Sequence, residues 1–131
     1  MERLIADGKR KDPVAARGHV AAKPYFLNLK ARAVKEIVPG VRTRTFWQDR
    51  MLISLVDLDP NAVAPVHTHM EEQVGFIAKG TVEMEIDGAK RVMKEGELYH
   101  VPADVPHGAR AGPKGCTILD VFSPVREVLK Y

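Results

Sequence analysis

The chain has 131 residues, of which 45% are hydrophobic and 28% charged, and it contains 10 Gly and 9 Pro. These proportions are typical of one globular domain rich in turns, and they exclude a fibrous or intrinsically disordered chain. The first residues lack the apolar stretch of a signal peptide, and no segment is long enough to cross a bilayer. The sequence therefore predicts a cytoplasmic protein with no membrane partner.

The net charge of +3 is unevenly distributed along the chain. Residues 1–50 carry 12 Lys and Arg against 5 Asp and Glu, whereas residues 51–131 carry 8 against 12. The basic residues lack the regularly interleaved aromatic side chains of a nucleic-acid-binding module, so we expect a solvated arm and no nucleic-acid partner. A weak attraction to an acidic polymer or to nucleic acid is the alternative.

Residues 1–36 show no sustained hydrophobic period, which predicts an extended N-terminal arm with one short strand or turn around residues 22–29. From Val41 onward, short strands alternate with turns rich in Gly, Pro, Asp and Asn. The predicted strands are 42–47, 52–58, 81–87, 90–94, 98–101, 107–111 and 117–122. No amphipathic helix interrupts them, so the sequence predicts an all-β sandwich or barrel over residues 37–131.

Local patterns support the all-β prediction. Residues 81–87 alternate between apolar and acidic side chains, which predicts a strand with one buried face. The pair Asp87-Gly88 predicts a two-residue hairpin because both residues accept positive φ. The single cysteine, Cys116, is expected to fill a strand as a small apolar residue, and a reactive thiol there is the less favoured alternative.

Three histidines and one glutamine carry the strongest chemical signal. His67 and His69 lie two residues apart, so a strand through both would point their rings to the same side of a sheet. Gln73 follows them, and His107 comes after a Pro-rich segment. Because neutral imidazole is the commonest metal ligand in proteins, the pattern predicts a metal site. The remaining histidines, His19 and His100, lie outside this spacing and are expected in surface or packing roles.

These residues resemble the two sequence motifs of the cupins. Residues 61–80 match the first motif through His67, His69, Gln73 and Gly80, and residues 96–111 match the second through Gly96, Pro102 and His107. The matches depart from the motifs at Asn61, Asp104 and Ala111, and Gln73 stands where Glu is usual. The resemblance implies a cupin double-stranded β-helix, a jelly-roll barrel, preceded by the arm.

The resemblance also implies that His67, His69, Gln73 and His107 meet inside the barrel on one divalent transition metal ion. Imidazole and carbonyl donors suit Zn, Ni, Fe, Mn and Co, and they do not select one of these metals. Glu72 is the alternative to Gln73 as the fourth ligand. With Gln73 all four ligands are neutral, and the ion would keep its full charge and favour anions.

The segment 120–126 resembles the C-terminal signature of the KdgF-like pectin-degradation cupins. By that resemblance Asp120, Phe122 and Arg126 line the pocket: Asp120 moves a proton, Arg126 grips a substrate carboxylate and Phe122 packs on the sugar ring. The alternatives are a structural ion pair between Asp120 and Arg126 at the rim of the barrel and a core position for Phe122.

The family resemblance implies a homodimeric, metal-dependent enzyme that acts on a small anionic sugar acid. The reaction it implies is the ring opening of unsaturated uronates to linear keto-deoxy uronates. An Fe(II) dioxygenase with the same ligand set is one alternative. A cupin that binds a small molecule without turnover is the other.

Overall fold

The computed structural model describes residues 25–131, in which eight antiparallel strands form one continuous sheet. The strands are β1 (Lys35–Val38), β2 (Val41–Trp47), β3 (Leu52–Leu58), β4 (Val63–His67), β5 (Glu72–Ile86), β6 (Ala89–Lys94), β7 (Leu98–Val101) and β8 (His107–Ser123). Two short 3₁₀ helices, Leu29–Ala31 and Glu127–Leu129, lie at the two ends of this region. No helix within residues 25–131 is long and apolar enough to cross a membrane. The all-β prediction is confirmed.

Two long strands organise the sheet into two layers. The second half of β8 pairs with β3 and with the first half of β5, which also pairs with β7. The first half of β8 pairs with β4 and with the second half of β5, which also pairs with β6. The pairing of β5 with β8 shifts register around Gly80, where φ is +80° and an added Cβ would lie 2.2 Å from the carbonyl oxygen of Gly115. This close approach lets both long strands pass from one layer to the other, which is the jelly-roll arrangement.

The core lies between the two layers and follows the alternation of the strands. Every second residue is buried in β3 and, up to Thr45, in β2, and in β5 Val82 and Met84 are buried while their neighbours are partly exposed. Cys116 is 6% exposed and belongs to the main hydrophobic cluster, so its predicted role as an apolar filler is confirmed. The hairpin at Asp87-Gly88 is also confirmed, since φ is +53° and +84° at these residues and they join β5 to β6.

Four features differ from the sequence-based expectation, and the first is that strand β4 (Val63–His67) has no counterpart among the predicted strands. The predicted strands 107–111 and 117–122 form one strand, β8, because its backbone pairs with β5 on both sides of Gly112. The predicted strand 81–87 is the second half of β5. The first strand, β1, begins at Lys35 inside the predicted arm and pairs with β2. Residues 1–24, which include His19 and most of the arm, lie outside the described residues.

Candidate metal site

The three histidines of the motif converge, and two of them, His67 and His107, line the cavity between the layers. His67 ends β4 and is paired in register with His107, the first residue of β8. The ring centroid of His107 lies 4.4 Å from that of His67 and 4.8 Å from that of His69. One ligand atom from each of the three side chains lies within 4.8 Å of the other two. Such a cluster could hold a metal ion.

His69 reaches the cluster from a loop, so the expected strand through His67 and His69 is wrong. Strand β4 ends at His67, and its pairing with β8 is already irregular between Ala64 and His67. The loop is held by the backbone N–H of Asp104, which donates to the carbonyl of His69 at 2.8 Å. A contact between distant segments, and not strand parity, therefore places the second imidazole.

Each ring is oriented by a backbone carbonyl two residues away. Nδ1 lies 2.8 Å from Pro65 O in His67, 2.9 Å from Glu71 O in His69 and 2.9 Å from Val105 O in His107. Because a carbonyl only accepts, Nδ1 carries the proton in each ring and Nε2 is left as an acceptor. Orientation of metal-binding histidines through the other ring nitrogen is the usual arrangement in proteins.

The Nε2 acceptor of His69 faces two other acceptor atoms, and no donor lies between them. Nε2 of His69 lies 3.2 Å from Nε2 of His107 and 3.0 Å from Oε1 of Gln73. Lone pairs directed at each other repel unless a cation or proton lies between them. Ligands bound at about 2.1 Å to one ion lie roughly 3.0 to 3.4 Å apart in octahedral or tetrahedral geometry, so these separations fit a metal ion.

Burial keeps two of the imidazoles neutral. It lowers the pKa of His107 to about 4, an effect reinforced by the charges of the other two rings and of Arg126. The pKa of His69 is also lowered, first by burial and then by the charge of Arg126. Neutral imidazole is the form that binds metals, so both rings are ready to do so at neutral pH.

Gln73 and Glu72 point to opposite faces of β5. The side chain of Gln73 is 5% exposed and faces the histidines. Glu72 is on the outer face, where its carboxylate accepts from Nε2 of His100 at 2.7 Å. The predicted surface role of His100 is confirmed, and the geometry excludes Glu72 from the cluster.

Asp120 is buried next to Gln73, far from any rim. It is 7% exposed, and the hydroxyl of Tyr99 donates to its Oδ1 at 2.5 Å. Burial raises the pKa of Asp120 to about 6, although donation from Tyr99 and from the Gln73 amide and the charge of Arg126 oppose this rise. The carboxyl group lines the cavity, which also brings it to any ligand bound there.

Arg126 has no carboxylate oxygen within 4 Å among residues 25–131, so the alternative of an ion pair with Asp120 is wrong. Its guanidinium lies over the ring of Phe122, 5.4 Å from the centroid, and it lines the cavity. Phe122 is 3% exposed and packs edge-on against His69 at 5.5 Å. It is thus a core residue that also supports the arginine and one imidazole.

The cavity between these residues has a volume of about 90 Å³. Its wall combines the polar groups His67, Gln73, His107, Asp120 and Arg126 with apolar side chains of both layers. A cavity of this size admits a small molecule or one end of it, and not a folded polymer.

Two residues near the site were missed by the sequence reasoning. Tyr99 lies two residues before the buried Val101 in β7, so the two side chains point to the same, inward face of the strand. Its contact with Asp120 depends on how β7, β5 and β8 are aligned with one another. Glu71 places a carboxylate oxygen 3.6 Å from Nδ1 of His69, and its charge raises the pKa of Arg126 against the lowering effect of burial. No spacing rule in the sequence indicates either contact.

Comparisons with known proteins agree with this architecture. The chain is similar to the pectin degradation protein KdgF of Dickeya dadantii (strain 3937), with 29% identity over 94 residues that cover 70% of this chain and 86% of that protein. Among solved structures, an RmlC-like cupin from Shewanella frigidimarina has a TM-score of 0.77 and 27% identity, covering 82% of this chain and 97% of its own. KdgF from Halomonas sp. has a TM-score of 0.76 and 25% identity, covering 82% of this chain and 100% of its own.

The family model of the cupin domain matches residues 54–122. This match covers more than half of the chain and includes the three histidines, Gln73 and Asp120. The histidine cluster, the two-layered sheet and this match lead to one conclusion. The chain belongs to the cupin domain family.

Proposed function

We propose that this cupin is a metal-dependent enzyme that opens the ring of unsaturated uronates to give linear keto-deoxy uronates. The observation that carries the proposal is a cluster of three convergent imidazoles beside a small cavity that two of them, His67 and His107, line together with an arginine that has no ion-pair partner among residues 25–131. A divalent ion and a free guanidinium together favour a small anion. The similarity to a pectin degradation protein supports a uronate as that anion.

In this proposal His67, His69, His107 and Gln73 hold one divalent transition metal ion. The donor set fits Zn, Ni, Fe, Mn or Co and does not select among them. When bound, the ion supplies positive charge for the oxygen that becomes negative as the ring opens.

The chain's own residues orient the substrate and move the proton. Arg126 binds the substrate carboxylate through its two parallel N–H donors, and Phe122 keeps the guanidinium in place beneath the sugar ring. Asp120 accepts the proton of the ring hemiacetal hydroxyl as the ring C–O bond breaks to give a carbonyl and an enolate. Asp120 then returns this proton to the carbon of the former double bond, and the enolate becomes a ketone. The net change is an isomerisation, and it requires no oxidant.

The test follows the ultraviolet absorbance of the substrate double bond while metal-loaded protein is mixed with unsaturated uronate. We expect acceleration over the spontaneous reaction, loss of the acceleration after chelation, and recovery when metal is returned. His107→Ala should lose the acceleration because it removes a ligand. The matched control, His100→Ala, removes an exposed histidine outside the cluster and should keep it. The absence of any acceleration with each of the five metals would contradict the proposal.

The two alternatives give different results in the same experiment. An Fe(II) dioxygenase would consume oxygen with iron and not with zinc, and it would require an organic co-substrate. A binding module would hold the uronate, detectable by calorimetry, without changing its absorbance. Either result replaces ring opening as the function.

The proposal includes a homodimer, which is supported by an apolar outer face on one layer. Two rows of paired residues cross β2, β3, β8, β5 and β7 on this face: Arg44, Leu55, Leu119, Phe76 and Leu98, and Phe46, Ile53, Val121, Val74 and His100. Val74, Phe76 and Leu98 are 42%, 39% and 62% exposed. Contiguous exposed apolar area of this kind marks an interaction site, and a second copy of the same face is self-complementary to it.

A cytoplasmic location is also part of the proposal, and cell fractionation would test it.

A further inference from the structure

Three residues on neighbouring strands bring the hydroxyl of Tyr99 to the carboxylate of Asp120. Gly75 of β5 is paired with Tyr99 of β7 on one side and with Asp120 of β8 on the other. A Cβ on Gly75 would lie 2.1 Å from Cζ of Tyr99, so the tyrosine ring occupies the space that a side chain at Gly75 would fill. The ring thereby crosses β5, and its hydroxyl donates to Oδ1 of Asp120 at 2.5 Å.

Burial raises the pKa of both Asp120 and Tyr99, and the Gln73 amide, which lies beside both groups, opposes the rise in each pKa. Tyr99, Asp120 and Gln73 are 8%, 7% and 5% exposed, so water contributes little to their hydrogen bonding. A buried carboxylate needs donors, and among residues 25–131 the Tyr99 hydroxyl donates to Asp120 while the Gln73 amide lies beside it. Loss of either donor would leave Asp120 free to rotate toward the other.

The orientation of the Gln73 amide decides what it offers to a cation. With its NH₂ group donating to Asp120, its Oε1 faces Nε2 of His69 at 3.0 Å. The reversed amide would direct two N–H groups at the histidine cluster, and an amide nitrogen is a donor with no acceptor capacity. Asp120 therefore selects the orientation in which the amide oxygen joins the three imidazoles.

We propose that Tyr99 is a positioning residue of the metal site, which fixes the Asp120 carboxylate and through it turns the oxygen of Gln73 toward the three histidines. Tyr99 itself contacts none of the imidazoles in the hydrogen bonds of residues 25–131. The inference rests on the metal site of the proposed function and not on its reaction.

The test measures the affinity for Co²⁺, by competition with a chromophoric chelator, and the visible spectrum of the Co²⁺-loaded protein. Tyr99→Phe keeps the ring over Gly75 and removes only the hydroxyl. We expect its Kd for Co²⁺ to rise about tenfold, which is typical when a support of a metal ligand is lost, and its spectrum to change with the ligand set. The matched control is Tyr131→Phe, which removes a hydroxyl that donates to the carbonyl of Thr43. Its Kd should stay within about twofold of the wild type.

A double-mutant cycle with Gln73→Ala shows whether Tyr99 acts through Gln73. If it does, Tyr99→Phe should weaken Co²⁺ binding little further once Gln73 is Ala. Additive effects, or an unchanged Kd in the single variant Tyr99→Phe, would overturn the inference.

A second pair of variants leaves Tyr99 intact. Asp120→Ala removes the acceptor of Gln73. Asp120→Asn keeps the shape of the side chain but has a single oxygen, which Tyr99 occupies, so that its NH₂ group faces the Gln73 amide. Both variants should weaken Co²⁺ binding, and a wild-type Kd in either of them would overturn the inference. Co²⁺ affinity is measured without a uronate, so it tests this inference separately from ring opening. The protein can fail to open the ring while Tyr99 still supports metal binding, and it can open the ring although Tyr99 has no effect on metal binding.

Discussion

The imidazoles of the site owe their orientation to carbonyls only two residues away in each case: Pro65, Glu71 and Val105. This local scheme sets the tautomer of each ring before any long-range contact is considered. Convergence of the three imidazole rings has another origin, because it requires β4 to pair with β8 and the loop at His69 to contact Asp104. Ligand identity and ligand placement thus have different structural origins.

A substitution of Arg126 that keeps the charge tests the role of its two parallel N–H donors. Arg126→Lys retains one positive charge but loses the parallel N–H donors that match a carboxylate, so we expect KM for the uronate to rise about tenfold with a smaller change in kcat. Steady-state kinetics checks this. Arg110→Lys, on the exposed side of β8, is the matched control and should leave both constants unchanged. Equal KM values for Arg126→Lys and the wild type would remove Arg126 from carboxylate binding.

The thiol of Cys116 should resist alkylation in the folded protein. Burial, followed by the charges of Asp120 and Asp57, raises its pKa from about 9 to about 11. A raised pKa keeps the thiol protonated, so at pH 8 the thiolate fraction is about a hundredfold lower than in the unfolded chain. Mass spectrometry after iodoacetamide treatment should show slow labelling that accelerates in denaturant and with rising pH. Equal rates in folded and unfolded protein would contradict this prediction.

At the scale of the strands, β5 tolerates only glycine at position 75. A methyl group there would overlap the ring of Tyr99, which cannot move without losing its bond to Asp120. We expect Gly75→Ala to lower the free energy of unfolding by about 3 kcal/mol, as measured by urea denaturation. Gly88→Ala, at a hairpin position with open space and a φ of +84°, should cost only about 1 kcal/mol. A smaller loss at Gly75 than at Gly88 would show that the ring yields easily.

The strands also show where local pattern stops being informative. The alternation of residues 81–87 and the hairpin at Asp87-Gly88 were predictable, because side-chain parity and turn chemistry depend on neighbouring residues. The continuity of β8 through Gly112 was not, since Gly and Pro near this point normally end a strand. Its pairing with β5 on both sides keeps the backbone extended there.

At the scale of the whole molecule, the apolar outer face should determine the oligomeric state. Phe76 lies in the middle strands of this face, so Phe76→Glu would bury a charge between two copies and should prevent the predicted homodimer from forming. Light scattering coupled to size-exclusion chromatography checks the mass. Val92→Glu, at a residue of β6 that is 66% exposed and outside this face, is the matched control and should remain dimeric. A monomeric wild-type protein would contradict the predicted homodimer.

The sequence by itself determined the fold class, the cupin resemblance and the residues that could bind a metal, because periodicity, turns and motif spacing are properties of short segments. Only the tertiary structure decided that Glu72 faces outward to His100, that Asp120 is held by Tyr99 and not paired with Arg126, and that His69 reaches the cluster from a loop. Each of these depends on the register between strands that are distant in the chain. Register is set by the packing of the whole barrel, and no local spacing records it.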